Sequence, residues 1–201
     1  MKKFLVGTSC VVVFLLGFVL FFSRAPSRIT PQNGIISPTS GHVIGIEQEQ
    51  TPNLFFTKKG TGNTVSLPEI TGSVSLVIVE LTPLDVHVQR APISGSIIRM
   101  DHYDGNHSNA LGAQKLTLSS TNEKVITLFK NTTDTIGVVQ VAGMAARRIV
   151  NYSHVGDTVS KGFLYGRILL GSQVVVIIPS NYTVNVHVGD RVIDGETILA
   201  N

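Results

Sequence analysis

The chain has 201 residues, enough for one domain with a real core; 43% are hydrophobic and only 14% charged, low for a wholly soluble protein. Sixteen basic and 13 acidic residues leave a net charge of +3, with no basic cluster beyond the pairs Lys58-Lys59 and Arg147-Arg148, which argues against nucleic acid as a partner. The single cysteine, Cys10, excludes an intrachain disulfide, a cysteine metal site and a thiol catalyst.

Lys2 and Lys3 precede an uncharged apolar run from Phe4 to Phe22, 19 residues, which at about 1.5 Å per helical residue is long enough to cross a hydrocarbon core. The run predicts one N-terminal transmembrane helix, with a membrane anchor over 1–24. A cleaved secretory signal is the rival, but the run is long for an h-region, ends in aromatic residues and has no A-x-A-like site before Ser23. The expected location is therefore a membrane, held by this single anchor: the inner membrane, facing the cytoplasm, if the source is bacterial. Lys2 and Lys3 on one side and Arg24 and Arg28 on the other give no orientation by charge.

Pro26, Pro31 and Gly34 punctuate a linker over 25–34, and 35–201 reads as one compact domain. Short apolar runs alternate there with Gly, Pro and Asn: His42 to Ile46, Val74 to Leu81, Gly95 to Met100, Lys115 to Leu118, Lys124 to Phe129 and Thr135 to Val141. The pattern predicts a mainly β fold. One or two short helices are expected, the best candidate lying around 143–148. Between Glu47 and Ile70 the polar, glycine-rich sequence predicts a loop.

Val155-Gly156-Asp157-Thr158-Val159-Ser160-Lys161-Gly162 is echoed by Val188-Gly189-Asp190-Arg191-Val192-Ile193-Asp194-Gly195. Each copy predicts a hairpin whose glycines supply positive φ, and such hairpins resemble those of barrel-sandwich (lipoyl-like) folds. Between the copies, Gly171-Ser172 opens the β-branched run Val174 to Ile178, which Pro179 ends. That run predicts a strand buried on both faces, with Ser172 rigid at its mouth.

Several segments, in order, resemble the phosphatidylserine decarboxylase family, above all its short, compact, archaetidylserine-decarboxylase-like members. Phe21-Phe22 through Pro26 and Arg28 is similar to F-F-R-x-P-x-R, and Ser37-Pro38-Thr39-Ser40-Gly41 to S-P-A-D-G. Leu84-Asp85-Val86-His87 through Arg90-Ala91-Pro92 and Gly95 resembles L-D-V-H-x-x-R-A-P-x-x-G, and Thr121-Asn122-Glu123-Lys124 stands where the family has E-N-E-R. Val139-Gln140-Val141-Ala142-Gly143, Ala146-Arg147-Arg148-Ile149-Val150 and Gly171-Ser172 are also close to family wording.

The resemblance implies a proenzyme that cleaves itself between Gly171 and Ser172, leaving Ser172 as a pyruvoyl cofactor. That group would decarboxylate phosphatidylserine to phosphatidylethanolamine through a Schiff base, because standard side chains offer no electron sink. The implied partners are a membrane phospholipid, the membrane and the chain's own two fragments, with a homodimer allowed. His87 is the implied proton carrier, since imidazole titrates near neutrality. Asp85, two residues earlier, would share a strand face with His87 and hydrogen-bond to it. Ser40 stands where the family has an aspartate that orients the histidine, so His42, two residues on, and Asp85 are candidates to supply what Ser40 lacks. Arg147 and Arg148 suit a lipid phosphate or a helix-end surface role.

His102 and His107 lie in a polar turn that no other segment completes into a metal site, so no metal is expected. The sequons at Asn106, Asn131, Asn151 and Asn181 matter only in a secretory lumen. Two further readings stay open: an inactive decarboxylase homologue that binds lipid, favoured by Ser40, and a membrane-anchored lipoyl-like adaptor subunit, which the absence of any heptad stretch disfavours.

Overall fold

The computed structural model describes residues 17, 20–50, 53–58, 61–105, 122–143, 149–169 and 172–201, with backbone alone for 53–58, 61–64 and 172. Its strands are β1 (Ile35–Ile36), β2 (Gly41–Glu49), β3 (Asn53–Lys58), β4 (Thr61–Ser66), β5 (Val74–Leu81), β6 (Val88–Arg90), β7 (Gly95–Tyr103) and β8 (Lys124–Lys130). They continue as β9 (Thr135–Ala142), β10 (Ile149–Asn151), β11 (Thr158–Val159), β12 (Leu164–Ile168), β13 (Ser172–Pro179), β14 (Arg191–Val192) and β15 (Ile198–Ala200). The main sheet runs β11-β7-β8-β9-β13-β5-β2-β14, with a smaller sheet β10-β12-β6 and the pairs β1-β15 and β3-β4.

The β-branched run of β13 is uninterrupted because both its faces are covered. Val174, Val176 and Ile178 join Val77, Val79, Leu81, Tyr165 and Ile168 in the core between the two sheets. Val175 and Ile177 enter a second core with Leu76, Ile78, Ile126, Val139 and Leu67. Each fully buried side chain of this size contributes about 1.5–3 kcal/mol, so β13, paired to β5 on one edge and β9 on the other, ties both cores together.

The echoed octapeptides occupy equivalent places. Gly156 and Gly189 both have φ of 99°, which only glycine adopts freely. Asp157 accepts the His154 N–H and Asp190 the His187 N–H, each at 2.8 Å. β11 then pairs with β7 at Gly95 and Ser96, and β14 with β2 at Gly41 and His42. The equivalence extends upstream, since Ser37-Pro38-Thr39-Ser40-Gly41 and Ala91-Pro92-Ile93-Ser94-Gly95 lead into β2 and β7. A Cβ on Gly41 would meet the Glu80 carbonyl oxygen at 2.1 Å, and one on Gly95 that of Lys130 at 2.2 Å.

Two expectations are corrected. The transmembrane helix over Phe4 to Phe22, and with it placement by a single anchor over 1–24, is not supported: among the described residues no helix is long and apolar enough to cross a membrane. Helix is described at Gly17 and from Leu20 to Ser23. The helix stops before Pro26, whose ring disfavours helical geometry at the preceding residue. Residues 4–16 of the apolar run lie outside the described residues, as do the expected strand at 115–118 and the helix candidate at 144–148. The loop expected between Glu47 and Ile70 is in part a hairpin, with β3 and β4 paired from Asn53 opposite Ser66 to Lys58 opposite Thr61.

The linker segment is strapped to the domain along its length. Arg90 donates to the Pro26 carbonyl at 2.7 Å, Arg28 to Asp194 at 2.6 Å, and Lys161 to the carbonyls of Gln32 and Gly34 at 2.7 and 2.9 Å.

Candidate functional site

β13 begins at Ser172, opposite Leu81 of β5 and Ala142 of β9. Leu81 is the last residue of β5, and the D-x-H segment follows it at once as a turn. At the far end of that turn the His87 carbonyl accepts the Ile168 N–H at 3.0 Å, and Ile168 is the last residue of β12. One loop, 82–87, therefore spans the junction between β12 and β13 that contains Gly171 and Ser172. Leu170, Gly171 and the Ser172 side chain lie outside the described atoms.

The loop is internally braced. Asp85 Oδ2 accepts the Thr82 N–H at 2.9 Å and the Thr82 hydroxyl at 2.7 Å, while the Asp85 N–H donates to the Thr82 carbonyl at 3.0 Å. The shared strand face expected for Asp85 and His87 is not found, because both lie outside the strands. The Asp85 carboxylate closes the turn, and its backbone oxygen takes His87 Nδ1 at 2.9 Å. A carbonyl only accepts, so Nδ1 carries the proton and Nε2 of the neutral ring keeps its lone pair. His87 is buried. Burial lowers its pKa from the usual value, Arg24 and Arg167 add to the lowering, and the Asp85 carbonyl and charge oppose it. The ring is thus a neutral base at pH 7. Phe22 packs against it at a centroid distance of 5.9 Å, Arg24 bonds to the Leu84 carbonyl, and Arg167 reaches the Ser23 carbonyl at 3.1 Å. Residues 21–24 so close one side of the histidine.

Ser40 and His42 are placed elsewhere. The Ser40 hydroxyl donates to Asp194 Oδ1 at 2.6 Å and accepts the Asp194 N–H at 3.1 Å. Asp194 is fully buried and also takes Arg28 at 2.6 Å and Arg90 at 2.8 Å. His42 stands in β2 opposite Glu80 and Arg191. Glu80 alternates with Val79 and Leu81, so His42 faces away from the core between the sheets. Arg147 and Arg148 lie outside the described residues. Among the described residues no group of three His, Cys, Asp or Glu side chains is placed to hold a metal ion.

Sequence reasoning passed over three groups. Asp194 carried a signal, the echoed octapeptide, in which it occupies the position of Lys161. Glu123 is buried and its Oε1 lies 2.9 Å from His102 Nε2, so His102 is paired rather than loose in a polar turn. Gln140 is fully buried, and neither atom of its amide has a hydrogen-bond partner.

The sheet junction, the histidine loop across it and the strapped N-terminal segment define a β domain organised around the β12–β13 junction. Residues 15–200 match the family described as phosphatidylserine decarboxylase. The chain belongs to that family. It is 38% identical to a protein of Methanocaldococcus jannaschii named an archaetidylserine decarboxylase proenzyme, over 99% of this chain and 95% of the relative. A protein of the same name from Methanothermobacter thermautotrophicus is 33% identical over 92% of this chain and 81% of its own length. A Mycobacterium leprae protein named a phosphatidylserine decarboxylase proenzyme is 38% identical over 90% of this chain and 69% of its own. The similarity spans the whole β domain, which leaves the adaptor alternative without support.

Proposed function

We propose that the chain is a proenzyme that cuts itself between Gly171 and Ser172 and then removes the carboxyl group of phosphatidylserine, giving phosphatidylethanolamine. The observation that carries this reading is the bracketing of the 168–172 junction by one loop, with Leu81 opposite Ser172 and the His87 carbonyl bonded to Ile168.

His87 Nε2 takes the Ser172 hydroxyl proton as the oxygen adds to the Gly171 carbonyl carbon. The carbon–nitrogen bond then breaks, the nitrogen of residue 172 gains a proton, and the amide has become an ester. Loss of the Cα proton and cleavage of the Cβ–O bond free the Gly171 carboxylate and leave an unsaturated residue 172, whose nitrogen leaves as ammonia on hydrolysis by one water. The pyruvoyl ketone that results supplies the electron sink for decarboxylation. The chain's residues suit such a group: Leu81 and Ala142 hold the backbone of residue 172 from both sides, and the buried imidazole of His87 sits on the adjoining loop.

The two fragments, 1–171 and 172–201, remain one fold in this reading, because β13 contributes to both cores. Domain limits follow the same division, with 35–201 as the catalytic unit and 25–34 strapped onto it. The lipid approaches the face where Leu84, Leu169 and Phe21 are exposed beside the loop.

Denaturing electrophoresis with intact-mass measurement tests the proposal. The wild-type protein gives a C-terminal piece of about 30 residues whose N-terminus is blocked by a ketone, and Ser172→Ala stays whole. A wild-type chain that remains whole in the presence of lipid overturns the reading.

A further inference from the structure

Among the described residues, Arg28, Arg90, Arg99 and Arg191 each pair with an Asp or Glu side chain, whereas Arg24 and Arg167 pair with none. These two meet backbone oxygens instead. Arg24 donates to the carbonyls of Phe21 at 2.7 Å and of Leu84, and Arg167 to that of Ser23 at 3.1 Å. A guanidinium carries more N–H donors than these bonds use. The Arg167 Nε is buried without a partner, so the fold does not balance this charge from its inner side either, and a half-buried charge without a counter-charge is costly.

Both charges border the candidate base. Arg167 stands opposite Val88 in the β12–β6 pair, next to His87 in the chain, and Arg24 is held at Leu84, on the loop that ends at His87. Each disfavours the protonated imidazole. A base becomes positive when it takes a proton, so two uncompensated cations beside it oppose that step until an anion offsets them. The same arginines border the apolar rim. The Arg24 guanidinium lies 3.8 Å from the Phe21 ring centre, and Phe21, Leu84 and Leu169 are exposed there.

We propose that Arg24 and Arg167 form the anion site for the phosphodiester of the substrate headgroup. The assignment rests on phosphatidylserine being the substrate. The carboxylate of that headgroup leaves as carbon dioxide, so guanidinium bonds to it would stabilise the ground state against the reaction. The phosphodiester keeps its charge throughout. Binding it positions the serine portion beside His87 without that penalty, and the planar fork of arginine matches its oxygens.

The test uses the cleaved protein, with rates taken per mole of small fragment. The binding probe is a short-chain, monomeric phosphatidylglycerol, which carries the phosphodiester but neither the amine nor the carboxyl group. Calorimetry should show binding by wild type and about ten- to a hundredfold weaker binding by Arg24→Gln and by Arg167→Gln. With short-chain phosphatidylserine the same variants should raise KM by a similar factor and leave kcat unchanged, whereas arginines that only support the His87 loop would lower kcat. Arg24→Lys and Arg167→Lys keep the charge without the fork, so they should lie between, and they serve where a glutamine variant does not fold. No binding of the probe by wild type, unweakened binding in the variants, or a lower kcat at unchanged KM overturns the proposal. Inorganic phosphate bound as tightly as the probe, and lost in the same variants, assigns the site to free phosphate and overturns it too. Failure of wild type to decarboxylate phosphatidylserine, with the probe still bound, instead overturns the substrate reading beneath it.

Discussion

The Ser40 hydroxyl donates a 2.6 Å hydrogen bond to the Oδ1 of Asp194, a carboxylate contributed from 154 residues further along the chain. The family motif sets an aspartate at position 40, and its replacement by serine suggests a lost charge. Locally the charge is present, carried by the second copy of the echoed octapeptide. The equivalent serine in the first copy, Ser94, accepts the Lys161 N–H at 2.9 Å as Ser40 accepts that of Asp194 at 3.1 Å. Serine at position 40 is therefore the residue the internal symmetry of the fold uses, and it holds Asp194 between Arg28 and Arg90.

Removing that carboxylate leaves two largely buried guanidinium groups without their partner, at side-chain exposures of 15% and 11%. Asp194→Asn is expected to lower stability by about 3–5 kcal/mol, and Ser40→Ala, which removes one bond to a charged group, by about 1.5–3 kcal/mol. Urea unfolding of the uncut Ser172→Ala background measures both. An Asp194→Asn chain within about 1 kcal/mol of its parent would show that the arginines are satisfied elsewhere.

Cleavage between 171 and 172 would put Arg28, Arg90 and Ser40 on one fragment and Asp194 on the other, with β13 still paired to both β5 and β9. The two pieces are expected to elute together in size-exclusion chromatography without denaturant. In the cleaved protein Asp194→Asn should release the small fragment at lower urea than wild type. Spontaneous separation of the wild-type pieces would contradict the arrangement.

His87 gives a pH dependence of definite sign. Its folded pKa lies below the value of about 6.5 found in unfolded chains, so below pH 6.5 the unfolded chain binds a proton that the folded chain resists. Stability from the buried neutral ring is fully present above pH 6.5, and is lost as pH falls from there through the lowered folded value. Cleavage, which depends on the folded ring alone, should stay flat as pH falls past 6.5 and slow only below the lowered folded value. His87→Asn is expected to remove this acid-side slope, keep a melting temperature near wild type at pH 7.5 and slow cleavage by about 100- to 10,000-fold. Wild-type rates in His87→Asn would make the residue structural.

The strands were legible wherever alternation or β-branching had a local cause, as at Val74 to Leu81 and Val174 to Ile178. The histidine loop was legible as a motif but its geometry was not. Spacing by two suggested a strand face for Asp85 and His87, whereas Thr82 and Asp85 close a turn that turns a backbone oxygen toward the ring. Asp194 and Gln140 were invisible for a different reason: the pairing of the first across 154 residues and the burial of the second are set by the fold, and neither is a property of the local sequence. The length of the apolar run ending at Phe22 suggests a membrane span, while its last aromatic residue packs on His87.

The rim of the site predicts how substrate arrives. Leu84, on the loop that carries His87, is 74% exposed, and Leu169, next to the residue bonded to the His87 carbonyl, is 41% exposed. Phe21 is exposed beneath the Arg24 guanidinium, 3.8 Å from its ring centre, and Arg24 in turn holds the Leu84 carbonyl. Three apolar side chains with Arg24, Arg167 and Arg191 nearby suit insertion among the headgroups of an anionic lipid surface. Each leucine that leaves water contributes about 1.5–3 kcal/mol, or about ten- to a hundredfold in partitioning. The double substitution Leu84→Ser with Leu169→Ser is therefore expected to reduce decarboxylation of phosphatidylserine in vesicles at least about tenfold, while turnover of a short-chain, monomeric phosphatidylserine changes by less than about twofold, since surface substitutions rarely disturb a core. Vesicle flotation should show the same loss of binding. Equal reductions on vesicles and monomers would mean that these leucines support the His87 loop itself rather than its approach to lipid.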